Sequence, residues 1–141
     1  MDPQRNKQLM SEIFAALAEG DGNPFAEAMS DDFSWTIAGS ATQWAGTWRG
    51  KRAVQEQLLR PLFAQFERPY RNRAVSLTAE EDRVVVECRG EVVTKSGRPY
   101  NNQYCYVCRF DEQGHLASLV EYADTALMEE ALEPPPLDAG G

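Results

Sequence analysis

The chain has 141 residues, of which 26% are charged, and its formal net charge is −8 at pH 7. This length suits a single domain that buries a core and still lines a cavity. The acidic balance argues against binding nucleic acid through a basic surface and against docking on an anionic membrane.

Leader and membrane segments are not evident in the sequence. No run approaches the roughly 20 apolar residues of a membrane helix, and residues 1–7 lack the apolar core of a signal peptide. The cysteine count of three is odd and fits a reducing compartment, so we expect a cytoplasmic protein. Cys105 and Cys108 form a C-x-x-C pair on a predicted strand, where residues three apart point to opposite faces. We therefore expect free thiols and no metal site.

Two helices are predicted at the start of the chain. The first covers residues 3–19, with Asp2 as its cap, and ends at Gly20. Asn23-Pro24 repeats the cap-plus-proline start and predicts a second, short helix. The apolar stripe of the first helix consists of Leu9, Met10, Ile13, Phe14 and Leu17.

A strand and a loop with two tryptophans come next. Residues 33–37 alternate in polarity and predict a strand, and residues 38–49 are predicted as a loop. Trp44 and Trp48 lie in that loop, and rings of this size need apolar surface to cover. We expect the loop to fold over a cavity. A third helix begins near Gly50, and Pro61 inside it predicts a kink or a break.

The second half of the chain predicts a meander of long antiparallel strands with a short final helix. Helices followed by a meander indicate an α+β fold, with the helices on one face of the sheet. The predicted domain covers residues 1–132, and the Pro/Gly-rich tail 133–141 is expected to be flexible. The predicted strands are 71–79, 83–95, 100–110 and 115–123, and the helix is 124–132.

Three segments give the chain a family resemblance. They are Trp44–Gly50 (WAGTWRG), Pro99–Cys105 (PYNNQYC) and Glu121–Leu127 (EYADTAL). With the order of elements, they resemble the SnoaL-like group over roughly residues 7–132. That group is similar to ketosteroid isomerase and nuclear transport factor 2. The resemblance implies a cone, in which a curved antiparallel sheet wraps the N-terminal helices around an apolar pocket, and homodimers through the outer sheet face.

The resemblance also allows the catalytic residues of ketosteroid isomerase to be compared with the residues of this chain. Ketosteroid isomerase uses an Asp base and an oxyanion hole made of a Tyr and a protonated Asp. By register, the positions of the Tyr, the base and the second Asp hold Ile13, Ile37 and Tyr106 here. The resemblance therefore supports the fold more strongly than it supports that reaction.

The family register also predicts which side chains face the pocket. Arg89, Glu91 and Glu121 fall at inward positions of neighbouring strands, with Tyr106 beside them. A buried carboxyl near an arginine could act as a general acid or base, with a tyrosine holding a ligand oxygen. The alternatives are a structural ion pair, or an outward face that meets solvent or a second subunit. The candidate catalytic residues are Glu121, Tyr106, Arg89 and Glu91.

The pocket wall is predicted to be aromatic and apolar, which suits an apolar small molecule. We expect cofactor-free acid–base chemistry, such as isomerisation, cyclisation, dehydration or hydrolysis, with Glu121 as its first candidate. The alternative is a non-catalytic ligand-binding or dimeric interaction module, so enzyme activity stays open. The candidate ligand-binding residues are Trp35, Ile37, Trp44, Trp48, Phe14, Phe63, Asn102, Tyr104, Cys108 and Leu119.

Overall fold

The computed structural model describes residues 2–136. In the first half, two helices are followed by two strands and a helical segment, and strands dominate the second half. The helices are α1 (Pro3–Leu17), α2 (Asn23–Ala28), α3 (Lys51–Ala53), α4 (Arg60–Phe63) and α5 (Thr125–Ala131). The strands are β1 (Met29–Ile37), β2 (Gly46–Arg49), β3 (Arg71–Glu80), β4 (Arg83–Glu91), β5 (Gln103–Phe110) and β6 (Leu116–Ala123). None of the described helices is long and apolar enough to cross a membrane.

The helix α1 begins where its sequence predicts and ends at Leu17, two residues before the predicted end. The Asp2 carboxylate accepts hydrogen bonds from the backbone N–H groups of Gln4 and Arg5, which have no partner inside the helix. Gly20 follows the helix with φ +83°, a left-handed conformation that glycine adopts without steric cost. The apolar stripe of α1 packs on β3 and β4 and forms part of the core.

Six strands form one sheet in the order β2-β1-β6-β5-β4-β3. The predicted antiparallel meander is confirmed for β3 to β6. The strand β1 pairs in parallel with β6, and β2 pairs antiparallel with the other side of β1. The two halves of the chain are thus joined through the β1–β6 pair, next to the β5–β6 hairpin.

The prediction of a loop over residues 38–49 is wrong for its last four residues. Gly46–Arg49 forms β2, in which Trp48 lies opposite Trp35 of β1. Threonine and tryptophan favour strands, but four residues flanked by glycines carry too short an alternation to reveal one. Trp48 is consequently buried in the core.

The third helical segment widens before Pro61. Between α3 and α4, Val54–Leu59 is π-helical, and the backbone N–H of Arg60 donates to the carbonyl of Gln55, five residues back. Proline has no N–H and its ring crowds the preceding turn, so a local change of helix type accommodates it without ending the helix. The helical segment continues through Pro61 to Phe63, so the predicted break is wrong, and the kink stays a prediction.

The predicted inward register of β4 is wrong. Val84, Val86 and Cys88 are the buried residues of this strand, while Arg89 and Glu91 are exposed on the opposite face. Side chains alternate along a strand, so burying Cys88 places its neighbour Arg89 outside. Burying the odd-numbered set would have removed four charged groups from water, which costs far more than exposing the apolar side chains of the even-numbered set.

The tail begins with an ordered contact. The Glu133 carbonyl accepts hydrogen bonds from Trp44 Nε1 and Gln65 Nε2, and its N–H donates to Gln65 Oε1 at 2.8 Å. Residues 137–141, for which we predict flexibility, lie outside the described residues.

Candidate functional site

A cavity of about 460 Å³ lies between the inner face of the sheet and the helices. Its wall is mostly apolar and aromatic, with polar groups contributed by the sheet, by the segments that lead into it and by the 51–63 helical segment. Apolar lining residues come from α1, α2, β1, the 51–63 helical segment and α5. They include Leu17, Phe25, Met29, Trp35, Ile37, Trp44, Leu58, Leu62, Phe63, Met128 and Leu132. The polar side chains are Gln55, Arg60, Tyr70, Asn72, Tyr100, Tyr104, Tyr106 and Glu121.

Glu121 is the buried carboxyl of this cavity. It lies at an inward position of β6 and is 6% exposed. Its Oε1 accepts a hydrogen bond of 3.0 Å from Trp35 Nε1 on the neighbouring strand β1. Burial raises the pKa of Glu121 to about 7, because the charged form loses its hydration, and the Trp35 hydrogen bond offsets this only in part. Both protonation states are therefore populated near neutral pH.

Tyr106 faces Glu121 across the β5–β6 pair. The centroid of its ring lies 5.7 Å from the centroid of the Trp35 ring, in an edge-on arrangement, and 6.2 Å from the centroid of the Phe14 ring. Its hydroxyl accepts a hydrogen bond of 3.3 Å from Asn72 Nδ2 on β3. Burial and the nearby Glu121 carboxyl raise the pKa of Tyr106 well above its usual value, so this phenol keeps its proton.

Two further tyrosines pair beside Tyr106. Tyr70 donates a hydrogen bond of 2.5 Å to the Tyr104 hydroxyl, and burial raises the pKa of both phenols. Gly90 of β4 makes room for this pair, because a Cβ built on Gly90 would lie 2.8 Å from Tyr70 Cζ. Glycine is thus required at this close approach.

The family comparison gives a direct result. The model of the SnoaL-like domain matches residues 10–119, which is most of the chain. The chain belongs to the SnoaL-like family. Among functionally curated proteins, none matches it in sequence.

Solved structures of the same fold superpose along nearly the whole chain. An NTF2-like protein from Burkholderia xenovorans LB400 is 25% identical, with 94% of this chain and 99% of that chain covered and a TM-score of 0.69. Bal32a, from a soil-derived mobile gene cassette, is 20% identical, with 93% and 98% covered and a TM-score of 0.78. A protein from Jannaschia sp. CCS1, provisionally named a SnoaL-like polyketide cyclase, is 17% identical, with 95% of each chain covered and a TM-score of 0.73. The predicted cone, a curved and unclosed sheet around N-terminal helices, is confirmed.

Several predicted ligand-binding residues of this SnoaL-like chain lie on the cavity wall, and several do not. Trp35, Ile37, Trp44, Phe63 and Tyr104 line the cavity, and Phe63 is 45% exposed. The others are buried in the core away from the described lining, because β1, β2, β5, β6 and α1 also pack against each other. These are Phe14, Trp48, Asn102, Cys108 and Leu119.

Asn102 has a structural role in place of the predicted ligand contact. Its Oδ1 accepts from the backbone N–H groups of Gln103 and Asp124, at 2.8 and 3.0 Å. Its Nδ2 donates to the Asp124 carbonyl and to the Tyr100 hydroxyl. All of its hydrogen-bonding groups are thus engaged, and they tie the start of β5 to the start of α5.

Arg89 and Glu91, predicted as catalytic, lie on the outer face of the sheet and not in the cavity. Arg73 of β3 is directly opposite Arg89, and Arg71 is opposite Glu91. The basic partner predicted for Glu121 is therefore absent from its surroundings, and burial alone governs the direction of its pKa shift.

Five polar residues that line the cavity were not predicted from the sequence. Gln55 and Arg60 belong to the 51–63 helical segment, Tyr70 immediately precedes β3, Asn72 lies in β3, and Tyr100 precedes β5. The pattern Tyr-x-Asn of residues 70–72 places both side chains on one face of a strand, which could have drawn attention to them. Within residues 2–136, no group of three or more His, Cys, Asp or Glu side chains is arranged to hold a metal ion.

Proposed function

We propose that this protein binds an apolar small molecule in the cavity and moves a proton on it, with Glu121 as the acid–base group and no cofactor. One observation carries the proposal. A carboxyl whose pKa is raised to about 7 lies on the wall of an apolar cavity, opposite a protonated tyrosine. Structural carboxylates usually lie at the surface, whereas acid–base catalysts often lie in buried clefts that shift their pKa.

The pKa of Glu121 suits proton transfer at neutral pH. A base whose pKa lies near the working pH is partly ionised and still accepts a proton well. Glu121 would remove a proton from the carbon next to a ligand carbonyl. The same carboxyl, once protonated, would return the proton at another atom.

Such proton transfer is the common step of isomerisation, cyclisation and dehydration. Two relatives bear names of this kind: the Jannaschia protein and a protein from Bacillus subtilis provisionally named an isomerase. Both are under 20% identical to this chain, at 17% and 16%, so their names support the class of chemistry and identify no substrate.

Proton abstraction is testable without knowing the natural substrate. The probe is 2-tetralone, a bicyclic ketone with acidic protons next to its carbonyl, in deuterated buffer with NMR detection. The wild-type protein should accelerate deuterium uptake, and the rate should rise with pH through about 7, as Glu121 ionises. Glu121→Gln should reduce the catalysed rate by at least about 100-fold, within the usual contribution of a general base.

A matched control is available on the other face of the sheet. Glu91→Gln makes the same chemical change at an exposed carboxylate and should leave the rate unchanged. If Glu121→Gln exchanges deuterium as fast as the wild type, the acid–base role is wrong.

The second candidate is a non-catalytic module that is dimeric through the outer face of the sheet. A row of half-buried valines crosses that face, since Val85, Val107 and Val120 are cross-strand neighbours. Exposed Tyr122, at 52%, extends the apolar surface next to this row. Patches of this kind favour self-association.

Sedimentation of wild type and Val107→Glu measures the oligomeric state, and together with the deuterium-exchange rate it separates the two candidates. A dimer through this face should dissociate when a charge replaces the central valine. If 2-tetralone binds without deuterium exchange and the dimer forms, the non-catalytic candidate replaces the acid–base proposal.

A further inference from the structure

We propose that Asn72 and Tyr106 together bind a hydroxyl group of the ligand. Asn72 would accept the hydroxyl's hydrogen bond and Tyr106 would donate one to its oxygen. This inference rests on the proposed function only in taking the cavity as the ligand site, and it does not require Glu121 to transfer a proton.

Asn72 carries an unpaired acceptor on the cavity wall. It is 2% exposed and lines the cavity from β3. Its Nδ2 donates to the Tyr106 hydroxyl at 3.3 Å, while its Oδ1 has no hydrogen-bond partner among the described residues. Buried polar atoms are almost always paired, so an unpaired one on a residue that lines a cavity indicates a partner supplied by a ligand.

Tyr106 supplies the matching donor. Its hydroxyl oxygen already accepts from Asn72, which leaves the phenolic proton for another acceptor. No described side chain takes that proton at hydrogen-bond distance. The phenol stays protonated because burial and Glu121 both raise its pKa. An unpaired acceptor and an unpaired donor therefore lie next to each other.

The neighbouring polar groups do not satisfy this pair. Tyr70 and Tyr104 are hydrogen-bonded to each other. Glu121 accepts from Trp35. The Asn72 amide N–H also donates to the Cys88 sulfur, which offsets in part the rise that burial causes in the pKa of that thiol, and the Asn72 Oδ1 atom still has no partner among the described residues. Gln55, the other amide of the wall, belongs to the π-helical segment and is not a partner of the Asn72 Oδ1 atom.

The pair specifies a chemical class of ligand. A hydroxyl both donates and accepts a hydrogen bond, so it pairs with both the Asn72 Oδ1 atom and the Tyr106 O–H group. A ketone or an ether cannot donate and leaves the Asn72 Oδ1 atom unpaired. Sites built to hydrogen-bond a hydroxyl discriminate strongly against analogues that lack it, because the buried partner is then left unsatisfied. The expected ligand is an apolar ring system with an alcohol, phenol or enol hydroxyl.

The test compares 2-naphthol with 2-methoxynaphthalene, which accepts hydrogen bonds but cannot donate one. Wild-type protein should bind 2-naphthol about tenfold more tightly, measured by fluorescence titration. Asn72→Leu and Asn72→Val should bring the ratio to within about twofold. Two side chains of different shape are used so that a packing defect in one does not decide the result, and melting temperatures confirm that each variant folds.

Two controls fix the assignment. Gln103→Leu makes the same amide-to-leucine change at an exposed position outside the cavity and should keep the tenfold ratio, as should Glu91→Gln. A steric rejection of the methoxy group would persist in Asn72→Leu. If the ratio survives in both Asn72 variants, or is close to one in the wild type, the proposal is overturned. If deuterium exchange fails while the Asn72-dependent ratio holds, the acid–base proposal alone is wrong.

Discussion

Glu121 and Tyr106 are directly opposite each other on neighbouring strands, and both point into the cavity. Because the two strands form a hairpin, their register sets this pairing without any contribution from the rest of the chain. The pairing places a carboxyl with a pKa of about 7 next to a phenol that holds its proton. The predictions below test this relationship and the packing that supports it.

Replacing Glu121 by Gln should change how stability depends on pH. The pKa of Glu121 is raised from 4.5 to about 7, so the native state holds a proton between these values that the unfolded state has lost. Stability should therefore fall as pH rises from 4.5 to 7, by about 3 kcal/mol at most. Glu121→Gln should lack this decline and exceed the wild type in stability at pH 8.

Urea unfolding of both proteins between pH 4 and 8 measures the effect. The difference in free energy of unfolding should grow with pH and level off above about pH 7. Parallel curves for the two proteins would mean that Glu121 titrates as it does in the unfolded chain.

Replacing Trp35 by Phe should raise the pKa of Glu121 further. The Trp35 N–H donates to the carboxyl at 3.0 Å and stabilises its charged form. Trp48→Phe is the matched control, because the Trp48 N–H is buried without a partner in the described structure. Titration of the carboxyl carbon by NMR should show an upward shift in Trp35→Phe alone, and an equal shift in both variants would contradict the assigned hydrogen bond.

Replacing Gly90 by Ala should disturb the Tyr70–Tyr104 pair. The new methyl group would meet the Tyr70 ring, so the ring must move and its hydrogen bond is lost. We expect a loss of about 1–3 kcal/mol, typical of overpacking in a well-packed region. Gly22→Ala is the control, since nothing lies within 4 Å of a Cβ there. Thermal unfolding should separate the two variants, and equal stability would show that Tyr70 does not lie over Gly90.

Replacing Arg73 by Glu should stabilise the protein. Arg73 and Arg89 are directly opposite on the outer face of β3 and β4, where like charges repel. The opposite-charge pair should add about 0.2–1 kcal/mol, and the gain should shrink in 1 M salt. Unchanged deuterium exchange of 2-tetralone would agree with an outer-face position. A salt-independent loss of stability would contradict the register of this pair.

The β5–β6 hairpin was predictable because its alternation is unambiguous. On β5, Tyr104, Tyr106 and Cys108 alternate with Cys105 and Val107, and the first set is buried. On β6, the residues two positions before and after Glu121 are apolar and face the helices. Residues two apart on a strand share a face, so Glu121 also points inward. Where polar and apolar residues alternate this clearly, the buried face of a strand can be predicted from its own residues alone.

The register of β4 was mispredicted for the opposite reason. Val84, Val85 and Val86 are consecutive, so this part of the strand is apolar on both faces and its alternation is weak. The register carried over from the family therefore decided the prediction and placed Arg89 and Glu91 inward. The cost of burying two charges, which the structure avoids, is the better guide for such a strand.

Local patterns determined the helices, most strand positions, the α+β class and the inward face of the hairpin, because capping, periodicity and alternation depend on nearby residues. Only the tertiary structure decided that Asn72, from another strand, reaches the Tyr106 hydroxyl and that Trp35 holds Glu121, 86 residues further along the chain. It also decided the pKa of Glu121, because desolvation depends on every segment that closes the cavity. Contacts between residues far apart in the sequence leave no periodic trace in it, and these are the contacts that make the site.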